Sequence, residues 1–264
     1  MQAVRPAAVA GSFYPGDPDT LRRRVDALLE DARARVPADL PAPQALLLPH
    51  AGYAYSGAVA ALGYAALARS ADRIERVVLL GPTHRVAVEG LALPDASALR
   101  TPLGEVPVAA LPPEIRATLP WLVDSAAVHA REHALEVHLP FLQAVLPRAT
   151  VVPLAVGRAA PDDVAAVLEA LWGGPETLVV VSSDLSHYHP HERAGALDRA
   201  TVERVLRLRG PVTHDQACGA TPLNGLLVQA RRRGLRPILL GQCTSGDTAG
   251  DRRRVVGYAA VAFC

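Results

Sequence analysis

The sequence predicts an α/β protein, in which helices pack on both faces of a β-sheet. Short apolar runs of strand length alternate along the chain with longer segments of helical periodicity, and this alternation is typical of α/β folds. Apolar residues make up 50% of the 264 residues, so the chain can bury a large core without disulfides or a structural metal. Because the Pro-rich patches are short and no repeat occurs, we predict one domain over residues 1–264.

The predicted helices show caps and apolar stripes. The first begins after the N-cap Asp17, with Pro18 in its first turn and an apolar stripe that starts at Leu21. Residues 56–69 are apolar nearly all round and predict a buried helix, whereas residues 162–171 carry one apolar face. Two further helices are predicted over residues 193–208 and 223–233.

The predicted strands are short apolar runs bounded by turn-forming or charged residues. In chain order they cover residues 45–48, 76–80, 151–156, 178–181, 237–240 and 255–263.

The charged residues exclude several functions. The net charge is +1, from 27 basic and 26 acidic residues, which argues against a nucleic-acid binder or a polybasic membrane binder. Every basic residue is Arg, so mechanisms that need a Schiff-base lysine or a P-loop lysine are excluded.

The cysteines and the N-terminus predict a cytoplasmic protein. Cys218, Cys243 and Cys264 are too far apart for a disulfide framework or a zinc ribbon, and they favour reduced thiols. The N-terminus lacks the apolar stretch of a signal peptide, and no apolar run approaches the ~18 residues that a membrane span needs.

Three histidines follow predicted strands in the same way. His50, His84 and His187 each stand two to six residues after an apolar run, in turns rich in Gly, Pro or Ser. Ligand sites in open α/β sheets lie beyond the carboxyl ends of the strands. If the three strands are parallel neighbours, the three imidazoles converge on one cleft.

Converging imidazoles point to a metal. Neutral imidazole is a ligand for iron, zinc and copper, and two His with one carboxylate suit non-haem Fe(II) and oxygen chemistry. After the strand that ends at residue 240, Asp247 offers a carboxylate and Cys243 a softer donor. Asp247 fits equally well as a turn residue beside Gly246.

A second group of His and Glu lies around His133. On a helix, His133 and Glu136 would share a face. His129 and His133 have the spacing of HExxH, but Ala130 stands where that motif needs its Glu, so a zincin site would lack its general base. The alternative is a helix N-terminal turn, in which Glu132 and Glu136 face the positive end of the dipole.

Asp184 stands three residues before His187. We expect it to orient His187 by accepting the N–H of its second ring nitrogen. A Ser/His/Asp hydrolase is disfavoured because no GxSxG elbow occurs. Structural roles are assigned to the remaining histidines, His129, His189, His191 and His214.

Several motifs stand in a fixed order along the chain. They are PHAGYAYSG (49–57), LLGPTHRV (79–86), TPLGEVPV (101–108), EHALEVHLPF (132–141), VVSSDLSHYHP (180–190), ACGATPL (217–223) and SGDTAGDRRRVVGYAAVAF (245–263). With RPAAVAGSFYPGDP (5–18), they resemble the MEMO-like family, whose bacterial and archaeal members are called AmmeMemoRadiSam system protein B.

The resemblance implies a fold and a metal site. The fold is similar to that of class III extradiol dioxygenases, one α/β domain with a central mixed sheet flanked by helices. The site is mononuclear, with Fe(II) favoured and copper or zinc as alternatives. His50 and His84 are similar to the two His ligands. We assign the third ligand to Asp247, with Cys243 as the alternative.

The resemblance also implies roles around the metal. His187 is similar to the acid/base histidine of those dioxygenases, with Asp184 beside it. Candidates for lining the cleft are Tyr53, His133, Glu136, His138 and Cys243.

The expected function is a dioxygenase-type oxidoreductase acting on a small molecule of unknown identity. One alternative is a zinc-dependent hydrolase. Another is a non-catalytic metal- or partner-binding protein, and the family name implies an AMMECR1-like protein and a radical-SAM protein as partners.

Overall fold

Four parallel strands form the middle of the main sheet in the structure, a computed structural model that describes residues 3–264. The strands of the described chain are β1 (Val4–Arg5), β2 (Ala45–Leu48), β3 (Arg76–Pro82), β4 (Leu91–Leu93), β5 (Ala98–Thr101), β6 (Gly104–Pro107), β7 (Leu122–Asp124), β8 (Thr150–Val156), β9 (Thr177–Ser182), β10 (His187–His189), β11 (Pro237–Thr244) and β12 (Val255–Phe263). The helices are α1 (Pro18–Arg33), α2 (Gly57–Ala65), α3 (Pro113–Ala117), α4 (Ala126–Ala130), α5 (Leu139–Val145), α6 (Pro161–Leu171), α7 (His191–Leu206) and α8 (Ala220–Arg232).

The main sheet is mixed. Its order is β10-β12-β2-β9-β3-β8-β4-β7, with β11 paired to β12. β2, β9, β3 and β8 run parallel, whereas β12 is antiparallel to β2 and β4 is antiparallel to β8. The smaller sheet has the order β1-β5-β6. The predicted α/β architecture with a central mixed sheet flanked by helices is confirmed.

The alternation of side chains across the sheet explains why its central strands are apolar throughout. In β2, Leu46 and Leu48 belong to the core under α1, α2 and α5, while Ala45 and Leu47 belong to the core under α6, α7 and α8. A strand covered on both faces must be apolar at every position. Each fully buried leucine contributes about 1.5–3 kcal/mol relative to an exposed one.

The predicted helices and main strands are present, with some shifts at their ends. Asp17 caps α1 as predicted, since its side chain accepts a hydrogen bond from the backbone N–H of Thr20. The buried helix predicted over residues 56–69 ends earlier, at Ala65. Several short elements are absent from the sequence-based prediction: β1, β10, α3, α4, α5 and the strands β4 to β7.

The topology places the candidate histidines at one edge of the sheet. β9 lies between β2 and β3, and all three are parallel. Their carboxyl ends therefore meet. His50 and His84 lie in the turns after β2 and β3, and His187 is the first residue of β10, which follows β9 in the chain. Within residues 3–264, no helix has both the length and the apolar character needed to cross a membrane.

Candidate metal centre

Three imidazoles converge beyond the ends of the central strands. A ligand nitrogen from each of His50, His84 and His133 lies within 4.8 Å of the other two, and this group could hold a metal ion. The ring centroids are 5.2 Å apart for His50 and His84, and 4.6 Å apart for His84 and His133. The convergence of His50 and His84 follows from parallel strands, whereas His133 comes from a turn before α5.

Glu132 holds His84 from two sides. Its Oε1 lies 2.9 Å from His84 Nδ1, and its Oε2 accepts the backbone N–H of His84 at 2.5 Å. Oε1 also accepts the backbone N–H groups of His133 and Ala134. Burial alone would raise the pKa of Glu132, but these hydrogen bonds outweigh it and lower the pKa to about 2. Glu132 is therefore a carboxylate, and His84 carries its proton on Nδ1, which leaves Nε2 free.

His50 is buried and held at both its backbone and its ring. Its backbone N–H donates to Asp184 Oδ1 at 2.8 Å, and its Nδ1 lies 2.6 Å from Ser182 Oγ. Burial lowers the pKa of His50 well below its ordinary value, and repulsion from His84 lowers it further. The ring is therefore neutral at pH 7.

One ring nitrogen of His133 has no hydrogen-bond partner within residues 3–264. This atom, Nδ1, is buried and lies 3.4 Å from Glu132 Oε1. Burial lowers the pKa of His133 to about 4, with repulsion from His84 as the next cause. A buried polar atom without a partner calls for an explanation, and a bound ion is one. The side chain of Phe13 packs against this ring at 4.7 Å.

Cys218, which is not among the predicted site residues, lies next to the cluster. Its Sγ lies 3.4 Å from His50 Nε2. Gly219 makes this approach possible, because a Cβ there would lie 2.6 Å from the carbonyl oxygen of Ser182. The signal available in the sequence was the Cys-Gly pair in the ACGATPL motif, directly before α8. Burial raises the pKa of the Cys218 thiol to about 12.

Asp184 does not orient His187 as expected. The carboxylate of Asp184 is buried and accepts the backbone N–H of His50, while His187 Nδ1 donates to the carbonyl oxygen of Leu185 at 2.8 Å. Burial raises the pKa of Asp184 to about 7. The backbone carbonyl thus takes the role predicted for Asp184, and Asp184 instead positions the turn that carries His50. His187 itself lies outside the group formed by His50, His84 and His133.

Asp247 lies outside the three-imidazole group. It follows β11, two strands away from β2, and its Oδ1 lies 2.7 Å from His191 Nε2. Its Oδ2 accepts hydrogen bonds from the backbone N–H and the hydroxyl of Thr244, both at 2.9 Å. The assignment of Asp247 as a metal ligand stays a prediction. To bind a metal with the three imidazoles, its carboxylate would have to leave His191 and Thr244. Cys243, the alternative ligand, lies on β11, and burial raises the pKa of its thiol to about 11.

Three of the side chains expected to line the cleft are buried in the protein interior. Tyr53 donates its hydroxyl to the carbonyl oxygen of Val137, and both ring nitrogens of His138 contact buried hydroxyls. Glu136 lies in the 3₁₀ turn Glu136–His138 and pairs with Arg5. Among the expected lining residues, only His133 belongs to the three-imidazole group.

Comparison with known proteins shows the family. The sequence profile of the family described as Memo-like protein matches residues 5–262. The chain belongs to the Memo-like family. It is 34% identical to a MEMO1 family protein of Sulfolobus acidocaldarius, over 98% of this chain and 99% of the relative. It is 35% identical to a MEMO1 family protein of Methanopyrus kandleri, over 98% of each chain.

A cavity opens beside the cluster in this Memo-like chain. It has a volume of about 600 Å³, and its walls include His84, Cys218, His214, Thr221 and Arg158. This volume is in the range that binds small molecules in proteins. His84 and Cys218 therefore connect the imidazole group to a space that a small ligand can enter.

The donor set of the Memo-like centre fits a transition metal. Imidazole nitrogen suits iron, zinc and copper, and thiolate suits softer ions such as zinc and Cu(I). Burial keeps His50 and His133 neutral, as metal ligands must be. The carboxylate behind His84 is the usual partner of a metal-bound histidine.

Proposed function

We propose that this Memo-like protein binds one metal ion through His50, His84 and His133 and uses it in an oxidoreductase reaction of dioxygenase type on a small chelating molecule. The observation that supports the proposal is the approach of the three ligand nitrogens to within 4.8 Å of one another. Fe(II) is the ion we favour, with copper and zinc as alternatives. When bound by these three residues, Fe(II) would supply redox and Lewis-acid chemistry.

The residues of the chain supply orientation and proton transfer. Glu132 accepts the Nδ1–H of His84, so Nε2 is the ring nitrogen left to bind the metal ion. The carbonyl oxygen of Leu185 accepts the Nδ1–H of His187, so the lone pair of that ring is on Nε2. Burial lowers the pKa of His187, which keeps the ring neutral at pH 7. His187 Nε2 is thus suited to accept a proton from a substrate hydroxyl.

The cavity supports a small-molecule substrate, because its volume of about 600 Å³ is in the range of small-ligand sites in proteins. Cys218 on the cavity wall is a further donor that could contact the ion or the substrate, since its Sγ lies beside His50 Nε2.

The second candidate function is a zinc-dependent hydrolase. Three imidazoles with an open position form the ligand set of one class of catalytic zinc site, and the cluster offers three imidazoles. Zinc would activate water there, and turnover would not need oxygen.

Metal analysis after purification without oxygen tests the proposal. We expect close to one iron per chain in the wild type, lost in His84→Ala and His133→Ala. The matched control is His189→Ala on β10, outside the group. Asp247→Ala tests the ligand assignment made from the sequence: loss of the metal in this variant, with metal retained in His133→Ala, would make Asp247 the third ligand instead of His133.

The reaction is tested by oxygen uptake with a panel of catechols and other chelating diols. Equal iron in the wild type and in His84→Ala would overturn the site. Bound zinc, with turnover that continues without oxygen, would favour the hydrolase. Recovery of AMMECR1-like or radical-SAM partners in a pull-down, without turnover in either assay, would favour the partner-binding alternative.

A further inference from the structure

Ser182 stands at the centre of a buried hydrogen-bond network behind the metal centre. It is the last residue of β9 and is fully buried. Its Oγ lies 2.6 Å from His50 Nδ1, 2.9 Å from His138 Nε2 and 2.7 Å from the carbonyl oxygen of Ala134. The hydroxyl thus has three partners, two of which are imidazoles.

The number of protons determines the direction of each bond. A hydroxyl has one proton to donate and two lone pairs to accept with, and a carbonyl oxygen can only accept. All three contacts are satisfied only if Ser182 donates to Ala134 and accepts from both rings. His50 then carries its proton on Nδ1, and His138 carries its proton on Nε2. If Ser182 donated its proton to either imidazole instead, the buried carbonyl oxygen of Ala134 would lose the Ser182 hydroxyl as a donor, which is unfavourable.

The far end of the network agrees with this assignment. The hydroxyl of Tyr64 lies 2.9 Å from His138 Nδ1. With the proton of His138 on Nε2, Nδ1 has the lone pair that accepts the Tyr64 O–H. His138 is fully buried, and hydroxyls contact both of its nitrogens. His138 therefore helps to hold the Ser182 hydroxyl in place and has no ring nitrogen left to bind a metal.

The near end of the network faces the metal centre. With its proton on Nδ1, His50 presents the lone pair of Nε2, the atom that lies 3.4 Å from Cys218 Sγ. His84 has the same arrangement, with its Nδ1 held by Glu132. The two rings thus have the same tautomer, which a carboxylate selects for His84 and a hydroxyl selects for His50.

We propose that Ser182 is a positioning residue, which holds His50 in the tautomer that carries its proton on Nδ1 and directs Nε2 into the metal centre. The effect of Ser182 on metal affinity rests on the proposed function, because it needs a metal bound at this site. The tautomer of His50 does not depend on a metal. Removal of such a partner of a metal-bound histidine typically lowers metal affinity 10–100-fold.

The first test reads the tautomer directly in the metal-free protein. Histidine ¹⁵N chemical shifts and two-bond ¹H–¹⁵N correlations at pH 7.5 distinguish a protonated from an unprotonated ring nitrogen, and His50→Gln assigns the signals. We expect a protonated Nδ1 and an unprotonated Nε2 for His50. The opposite tautomer in the wild type would overturn the proposal, whether or not any variant folds.

The second test changes the hydroxyl. In Ser182→Ala we expect His50 to lose its tautomer preference and the affinity for Co²⁺, followed by titration, to fall 10–100-fold. Ser182→Thr keeps a hydroxyl and is expected to restore the wild-type tautomer. The matched control is Ser186→Ala, because Ser186 is similarly buried and its hydroxyl makes no hydrogen bond to an imidazole of the described residues.

The outcomes separate this proposal from the proposed function. A wild type that does not bind Co²⁺, iron or zinc would overturn the metal centre, while the tautomer measurement would still decide the role of Ser182. If Ser182→Ala keeps both the wild-type tautomer and the wild-type affinity, Ser182 does not position His50.

Discussion

The carboxylate of Glu132 contacts His84 at both its ring and its backbone. Oε1 lies 2.9 Å from Nδ1, and Oε2 lies 2.5 Å from the backbone nitrogen. Glu132 is buried, so this charge must be compensated by the N–H groups around it. One side chain thereby fixes the tautomer, the orientation and the position of a candidate ligand.

Glu132→Gln is expected to weaken metal binding 10–100-fold. The glutamine amide keeps the volume of the side chain but has only one acceptor atom, so its NH₂ group would face an N–H of His84 or of its neighbours. Titration with Co²⁺ measures the affinity. Glu203→Gln, at an exposed ion pair on α7, is the control and should bind the metal as the wild type does.

The main strands could be predicted because a strand buried on both faces must be apolar throughout. β2, β3 and β9 are such strands, and their parallel order brings His50 and His84 together. The strands β4 to β7 have only three or four residues each. Such short segments contain too few residues for a periodic pattern, and tertiary pairing decides their conformation.

The rest of the candidate site depends on contacts between distant segments. His133 lies in a turn rather than on a regular helix, and hydrogen bonds to Glu132 shape that turn. Cys218 approaches His50 only because Gly219 packs closely against β9. Asp247 follows a strand whose end lies at the same edge, but β12 separates that strand from β2. Strand ends therefore predict the edge of the sheet but not which side chains meet there.

Gly219→Ala is expected to destabilise the protein by about 1–3 kcal/mol through overpacking. The added Cβ would lie 2.6 Å from the carbonyl oxygen of Ser182 and 2.7 Å from the Cβ of Ser183. Relief of these contacts must move Cys218 away from His50. Urea unfolding measures the stability, and Co²⁺ titration reports the displacement.

The matched control is Gly195→Ala on α7, where the nearest atom to a new Cβ is the mobile end of the Arg199 side chain. Inside a helix, this exchange should stabilise the protein by about 0.5–1 kcal/mol. Equal effects of the two substitutions would show that Gly219 is not a point of close packing.

Buried His129 should make the protein less stable in acid. Burial lowers its pKa to about 4, although its hydrogen bond to the carbonyl oxygen of Ala92 opposes the shift. The unfolded chain takes up this proton near pH 6.5, but the folded protein does not until about pH 4. The contribution of neutral His129 to the free energy of unfolding is complete above pH 6.5 and is lost as the pH falls towards 4. Between pH 8 and pH 5 this loss amounts to about 2 kcal/mol.

His129→Gln removes the titrating group and can keep the N–H donor to Ala92. The stability difference between pH 8 and pH 5, measured by urea unfolding, should shrink by about 2 kcal/mol relative to the wild type. An unchanged difference would contradict a neutral buried His129.

Glu136 should be an anchor for the N-terminal segment. It is buried, pairs with Arg5, accepts the backbone N–H groups of Ala8 and Val9, and accepts the hydroxyl of Tyr14 at 2.5 Å. Tyr14→Phe removes one donor to this buried charge and should cost about 1.5–3 kcal/mol in urea unfolding. Tyr55→Phe, at an exposed ring, should change the stability by less than about 0.5 kcal/mol. If the two substitutions cost the same, the Tyr14 hydroxyl does not stabilise Glu136.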